Sequence, residues 1–238
     1  MSCQILVRGT CPSASNRELA TANIKRYDCE GTSIYLAKRA MTENFVSPIS
    51  NGNKIIAKAA AKAFGGEPKV ARFWDNDHNS HVDILTSRDR PQRGVTSIST
   101  VGLFNWPLYK DNKEYGARLE FVGAFGSSFE QFENALSTAA FCIINSKWFC
   151  YPGAVFPDAL AMYDCSPTMR HLLFVPPFLW EAELNTIEFD GKKVAWLLAV
   201  PISDEERNFA ALNGSEKLQD VFMERQIDIF NLHRASEL

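Results

Sequence analysis

The densest group of side chains able to do chemistry is the polar run Asp-Asn-Asp-His-Asn-Ser-His-Val-Asp, which begins at Asp75. Asp75, Asp77 and Asn79 match the first three ligand positions of a calcium-binding loop. The match then ends, because Ser80 stands where position six needs a glycine and Thr86 where position twelve needs a chelating glutamate. The run therefore does not predict a calcium site.

Two histidines in the same run, His78 and His81, are three residues apart. That spacing can chelate zinc on a helix, whereas the residues around it predict a turn followed by a strand. Aspartate and asparagine favour turns because they hydrogen-bond their own backbone, so a polar hairpin tip is the main interpretation. A metal-dependent hydrolase that uses this polar cluster, from Asp75 to Asp83, remains the alternative.

Nucleophilic chemistry has little support. The segment Gly-Ser-Ser-Phe that ends at Phe129 only superficially resembles a nucleophile elbow, and Ser128 is predicted instead to cap a helix, with Gln131 completing a capping box. No phosphate-binding loop occurs. We therefore expect no catalytic residues, no cofactor and no metal.

The cysteines after residue 41 are Cys142, Cys150 and Cys165, and each lies in or beside an apolar segment. Such surroundings are typical of buried structural thiols in a reducing compartment. The sequence therefore predicts a cytoplasmic protein.

Composition and charge exclude several classes of protein. The chain has 238 residues, of which 46% are hydrophobic, and this excludes a disordered polymer. The longest apolar stretches, such as Val194–Ile202, are about half the length of a membrane span. A net charge of −3 gives no general attraction to nucleic acid or to an anionic membrane.

The charge is unevenly distributed along the chain. Residues 1–40 carry six basic and three acidic side chains, whereas residues 41–238 carry 19 and 25, a net charge of −6. We expect residues 1–45 to be an N-terminal extension that is flexible or lies upstream of a true start at Met41, and residues 46–232 to form the domain.

Hydrophobic patterns and capping residues predict the elements of that domain. Strands in runs, with helices at intervals, indicate one compact α+β domain with a mostly antiparallel sheet flanked by helices. In the strand predicted over residues 117–124, Leu119 and Phe121 lie on one face, and Arg118 and Glu120 on the other. The other predicted elements are a helix over 54–64, a hairpin of strands 69–74 and 81–86, a strand over 94–103, a helix from Ser128, strands over 172–175 and 194–202, and helices from Ser203 and Ser215.

The order and spacing of five segments carry a family resemblance. They are Ala57–Gly66, His81–Leu85, Gly94–Leu103, Arg118–Val122 and Val194–Glu206. In this order the chain resembles the suppressor-of-fused family over roughly residues 50–225, specifically its bacterial branch of immunity proteins. The resemblance implies a cytoplasmic antitoxin that binds and neutralises a cognate toxin, often a nuclease delivered between competing bacteria. It implies no catalytic residues.

Two segments are predicted to contact such a partner. They are the hairpin tip with Asp75, Asp77 and His78, and the aromatic loop with Phe104 and Trp106, although Phe104 and Trp106 folding back on the core is an equal expectation. A net charge of −6 would steer association with a basic toxin. A regulator that binds a host protein, as animal members of the family do, is a further alternative. The oligomeric state stays open.

Overall fold

The computed structural model describes residues 38–39, 49–129 and 131–238, the first pair by backbone alone. The helices are α1 Asn51–Phe64, α2 Phe132–Ser146, α3 Asp204–Asn213 and α4 Ser215–Glu224. The strands are β1 Lys38–Arg39, β2 Lys69–Trp74, β3 His81–Arg88, β4 Val95–Val101, β5 Tyr109–Lys110, β6 Lys113–Glu114, β7 Arg118–Gly126, β8 Val155–Phe156, β9 His171–Val175, β10 Ile187–Phe189 and β11 Lys192–Ile202.

The strands form one large sheet and one small hairpin. The sheet has the order β1-β2-β3-β4-β7-β11-β9-β8, with β10 also paired to β11, and β5 with β6 makes the separate hairpin. Neighbours in the described sheet are antiparallel except β7 and β11, which run parallel. The predicted α+β class with a mostly antiparallel sheet is therefore confirmed.

Helix α1 covers one face of the sheet. The Ser50 side chain accepts a hydrogen bond from the Asn53 amide at 3.0 Å, and the helix ends at Gly65. Its buried side chains, including Ile56 and Phe64, pack with apolar residues from β4, β7 and β11 and with α3 and α4. Capping and an alanine-rich interior thus placed this helix correctly from the sequence.

Helix α2 covers the opposite face. Phe132 lies so close to Gly123 of β7 that a Cβ atom there would stand 2.8 Å from the Phe132 ring. The predicted cap at Ser128 is wrong, because the helix begins at Phe132 and its N-cap residue, Gln131, makes no side-chain capping bond. The Phe129 amide instead donates to the Gly126 carbonyl, and this bond forms a turn ahead of the helix.

Helices α3 and α4 follow β11 at the far end of the sheet. The predicted capping box at Ser203 is confirmed, since its side chain accepts from the Glu206 amide while Glu206 accepts from the Ser203 amide. The chain then returns to the sheet, and Arg234 is buried against Glu206 at that end.

The predicted extension, residues 1–45, lies outside the described residues except for Lys38 and Arg39, which pair with Trp74 and Phe73 of β2, respectively. The predicted boundary at residue 46 also lies outside them. At the other boundary, packed structure continues past residue 232 to Arg234. None of the described helices is long and apolar enough to cross a membrane.

Candidate partner-binding surface

The sheet topology collects both predicted contact segments at one end. The β2–β3 turn, the connection from β4 to β7, the β10–β11 turn and the last turn of α2 all lie at this end, because β7 and β11 begin where β4 ends. The first turn of α1 joins them through a 3.3 Å hydrogen bond from Asn105 to Asn53. We call this set of segments the loop end.

The hairpin tip is ordered by Asp75 from inside. This side chain is buried, and its carboxylate accepts the amides of Asn79 and Ser80 at 2.8 and 3.1 Å. Asn145 at the end of α2 donates to the same carboxylate at 3.1 Å and accepts from the Ser80 hydroxyl at 2.7 Å. Asp75 therefore shapes the tip.

The exposed part of the tip consists of residues 76–79, which include Asp77 and His78. His78 has a positive φ of 56°, which turns the chain, and its ring lies 5.8 Å from that of Trp74. The ring centroid of His81 lies 4.9 Å from that of Trp74. The tip thus presents Asp77 and two imidazoles beside an indole.

The two aromatic side chains that were predicted to contact a partner differ in exposure. Phe104 is buried, with its ring 5.2 Å from that of Phe189, whereas Trp106 is 40% exposed. Gly52 in α1 makes room for Phe104, since a Cβ atom at Gly52 would stand 2.5 Å from the ring. Phe104 is therefore the anchor of the loop, and Trp106 is the aromatic side chain that the loop exposes.

A pocket of about 310 Å³ lies between the tip and this loop. Asn79, Ser80 and His81 line one side, and Gly102, Asn105 and Trp106 are among the residues on the other, with α1 contributing Asn53. The two segments singled out from the sequence thus form adjacent walls of one concave surface.

More exposed aromatic side chains lie at the same end. Tyr115 and Tyr151 are exposed on either side of Phe149, with ring centroids 5.4 and 5.7 Å from it. Lys110 lies over Phe149, and Lys147 over Tyr109. Large aromatic side chains with polar tips are enriched in protein interfaces, so this surface has the composition of a binding site.

The acidic excess is concentrated elsewhere. At the loop end Asp77, Asp111 and Glu114 are balanced by Lys110, Lys113 and Lys147, all of them exposed. Helices α3 and α4 instead expose five carboxylates and one cation, Lys217, together with Leu212 and Met223, a surface that we call the acidic helix face. Its carboxylates are Asp204, Glu205, Glu216, Asp220 and Glu224.

The polar cluster is not arranged as a metal site. The part of the chain that the structure describes contains no group of three or more His, Cys, Asp or Glu side chains able to hold a metal ion. Asp75 is occupied by the tip, and Asp83 forms two hydrogen bonds with Arg72, at 2.8 and 3.1 Å. Two of the three carboxylates in the run, Asp75 and Asp83, are therefore already engaged.

The buried thiols and the buried histidine lack the signs of activation. Burial raises the pKa of Cys165 to about 12 and that of Cys150 well above its usual value. His171 accepts from the Asp158 amide through Nδ1 and faces Asp204 through Nε2 at 3.0 Å, while desolvation lowers its pKa. Both of its nitrogens serve the packing of β9 against its neighbours.

Sequence reasoning missed Glu120, the acidic residue beneath the aromatic loop. The alternation predicted for this strand puts Glu120 on the opposite face from Leu119 and Phe121, and on that face, the α1 side of the sheet, Glu120 is completely buried. The available signal was a lone carboxylate within the run Leu-Glu-Phe-Val-Gly-Ala-Phe, which is otherwise typical of a strand covered on both faces. A buried charge there needs a specific role.

Comparison with known proteins identifies the relationship. The family model for suppressor of fused protein (SUFU) matches residues 78–235. The chain belongs to the suppressor-of-fused family. It is 45% identical over 188 residues to immunity protein YqcF of Bacillus subtilis (strain 168), covering 79% of this chain and 98% of that relative.

Solved structures of the family share the fold. A putative SUFU homologue from Neisseria gonorrhoeae FA 1090 superimposes with a TM-score of 0.58 at 16% identity, over 79% of this chain and 97% of the homologue. A chain of the Sufu–Fu complex gives a TM-score of 0.52 at 12% identity, over 79% and 93%. The predicted family resemblance is thus confirmed.

Proposed function

We propose that this protein is a cytoplasmic immunity protein that neutralises a cognate toxin by binding it stoichiometrically. The observation that carries the proposal is the 45% identity to immunity protein YqcF over nearly all of that relative. A chain of the same fold occurs in the Sufu–Fu complex, so a protein partner is in keeping with the fold. Inhibition by binding needs no catalytic residue in the inhibitor.

The loop end is the proposed contact surface. Trp106 is exposed on a loop anchored by the buried Phe104, and the pocket beside it is walled by the hairpin tip that carries Asp77 and His78. An exposed indole held on a fixed loop loses little conformational entropy on binding, which is the property of an interface hot spot. Asp75 contributes to the proposed surface by shaping the tip.

The proposed toxin is a nuclease with a basic surface. Residues 41–238 carry a net charge of −6, and the acidic helix face concentrates exposed carboxylates. Such a field accelerates encounter with a basic protein without itself supplying most of the affinity. We therefore propose that the acidic helix face steers the approach of the toxin, and that the exposed Trp106 at the loop end makes the main contact with it.

Co-expression tests this function in cells. The full chain is expressed together with the candidate toxin, which is the product of the gene immediately upstream. Cell survival and co-purification of the two proteins are then scored. We expect rescue by the wild-type chain and by Leu212→Ala, which truncates an exposed side chain outside the loop end, but weaker rescue by Trp106→Ala. Leu212 is 85% exposed, so its truncation does not disturb the fold.

The outcomes separate the alternatives. Growth arrest despite abundant, folded protein would contradict the immunity function. Co-purification of an unrelated host protein in place of the toxin would favour a regulator. Loss of function in a His78→Ala/His81→Ala double variant, with metal bound to the purified wild type, would favour the hydrolase.

A further inference from the structure

Glu120 lies beneath the loop that exposes Trp106. It belongs to β7 and is fully buried between the sheet and α1. One carboxylate oxygen, Oε1, accepts the backbone amides of Gly102 at 2.9 Å and Phe104 at 3.1 Å. The other, Oε2, accepts the Thr100 hydroxyl. The carboxylate therefore ties the first residues of the loop to the centre of the sheet.

The loop backbone is shaped to meet this carboxylate. Gly102 has a φ of +105°, and the short 3₁₀ turn Leu103–Asn105 that follows directs its free amides towards Glu120. Amides at the start of such a turn have no partner within it, so an anion is a favourable acceptor for them. Phe104 and Trp106 leave the same turn, one into the core and one towards the surface.

We infer that Glu120 is a positioning residue for partner recognition, whose ionised carboxylate holds residues 102–105 in place so that Trp106 is presented, and whose protonation loosens that hold. This inference rests on the proposed function only for its biological use. The coupling between the carboxylate and the loop is a property of the free protein.

Neutral groups supply the hydrogen bonds that stabilise the carboxylate. Because they only partly compensate for complete desolvation, the pKa of Glu120 is raised from 4.5 to about 7. The charged groups on the elements around it are Arg118, two residues earlier in β7, Asp83 of β3, which is paired with Arg72, and Lys192 of β11, which lies 5.2 Å from the centre of the Phe104 ring, while Lys54 and Lys58 of α1 are exposed. His81, on the pocket wall opposite the loop, has a lowered pKa because of desolvation.

Protonation changes the bonds in a defined way. A proton from solvent binds Oε2, and the Thr100 hydroxyl, which already accepts the Phe121 amide at 2.8 Å, turns to accept the new carboxyl proton. Oε1 still faces the amides of Gly102 and Phe104, but their hydrogen bonds are no longer charge-assisted and are roughly half as strong. Glu120 itself stays buried, but residues 102–105 are held less firmly and Trp106 loses its fixed position.

Glu120→Gln reproduces the neutral state without a change in size. The amide oxygen can accept from the loop while the amide nitrogen donates to Thr100. The matched control is Glu188→Gln, which neutralises an exposed glutamate on β10. The double variant His78→Asn/His81→Asn removes the imidazoles of the neighbouring hairpin tip, so that they cannot be the source of a pH-dependent signal.

Fluorine NMR of the free full-length protein tests the inference directly. The chain contains five tryptophans, and 5-fluorotryptophan labelling gives each a signal, with that of Trp106 assigned by Trp106→Phe. Between pH 5.5 and 8.5 we expect the Trp106 signal to shift with a midpoint near 7 in the wild type, the Glu188→Gln control and the double histidine variant. In Glu120→Gln the signal should not titrate.

Thr100→Val provides a second variant, since losing a donor to the carboxylate should move the midpoint upwards. A Trp106 signal that is constant in the wild type, or that titrates equally in Glu120→Gln, would overturn the inference. Because no partner is present, failure of the toxin to bind would leave this result standing. Conversely, failure of the titration would leave the immunity function untouched.

Discussion

Two fully buried glutamates lie at opposite ends of the same sheet, and their surroundings differ. Glu120 at the loop end accepts hydrogen bonds from neutral donors alone. Glu206 at the far end faces Arg234, with Nη1–Oε1 at 2.5 Å and Nη2–Oε2 at 2.8 Å, and also accepts the Ser203 amide. One carboxylate has a counter-charge and the other has none.

The difference shows how burial can have opposite consequences. Arg234 also donates to the Pro201 carbonyl at 3.0 Å, so the Glu206 pair fastens the C-terminal segment to the end of β11. A paired, hydrogen-bonded charge makes that end rigid. An unpaired carboxylate with a pKa of about 7 makes the loop end responsive to pH. The rigid end supports the fold, and the responsive end carries the proposed binding surface.

Breaking the pair at the far end should give the largest effect. Arg234→Ala leaves Glu206 buried without its counter-charge, which typically costs about 3–5 kcal/mol. We expect a correspondingly large loss in the free energy of unfolding measured with urea. The matched control is Arg225→Ala. Arg225 is exposed, and its contacts with the carboxylate of the half-buried Glu237 at 3.6 Å and with the Glu237 carbonyl should together contribute only about 1 kcal/mol. Equal losses in the two variants would contradict the comparison.

Neutralising Glu120 should have a smaller effect that depends on pH. Because its folded-state pKa is raised from 4.5 to about 7, its contribution to stability is complete below pH 4.5 and is lost as the pH rises to about 7. The free energy of unfolding of Glu120→Gln should therefore rise relative to that of the wild type by on the order of 3 kcal/mol between pH 4.5 and about 7. Urea unfolding at several pH values measures the difference, and Glu188→Gln should show none. A constant difference between Glu120→Gln and the wild type would refute the assigned ionisation.

Straining the loop above Glu120 should have the smallest effect on stability. In Gly102→Ala the new side chain stands on a left-handed backbone conformation, with φ at +105°. Its Cβ atom lies 3.3 Å from the side-chain nitrogen Nδ2 of Asn53. We expect the substitution to lower the free energy of unfolding by about 1–2 kcal/mol. Gly116→Ala lies in the same connection and has open space around it, so it serves as the control. Thermal melting should lower Tm for the first variant only, and a matching drop for both would remove the special role of Gly102.

The parts of the fold that the sequence predicted are those set by local chemistry. Ser50 and the alanine-rich run placed α1, the reciprocal bonds of Ser203 and Glu206 placed α3, and the Asp/Asn turn placed the β2–β3 hairpin. The cap predicted at Ser128 is wrong because the same capping pattern is also found in a turn. The Phe129 amide donates to the Gly126 carbonyl in that turn, and the Phe129 ring packs against His233.

The candidate surface was predictable only in part. Its two segments were named from composition, but their adjacency depends on the antiparallel pairing of β3 with β4. The shape of the tip depends on the contacts of Asn145 with Asp75 and Ser80, which join residues distant in sequence. Glu120 was missed because period-two alternation shows which side chains share a face of β7, and not whether that face is covered. The same strand is covered on both faces, so alternation there distinguishes two interiors.

The central claim, that the loop end anchors a toxin through Trp106, is tested most directly by calorimetric titration. The full chain and its Trp106→Ala and Leu212→Ala variants are titrated with the purified product of the gene immediately upstream. We predict one-to-one binding that Trp106→Ala weakens about 30-fold or more, equivalent to about 2 kcal/mol, and that Leu212→Ala changes less than about threefold. Wild-type affinity in Trp106→Ala, with a large loss in Leu212→Ala, would contradict the claim and place the interface on the acidic helix face.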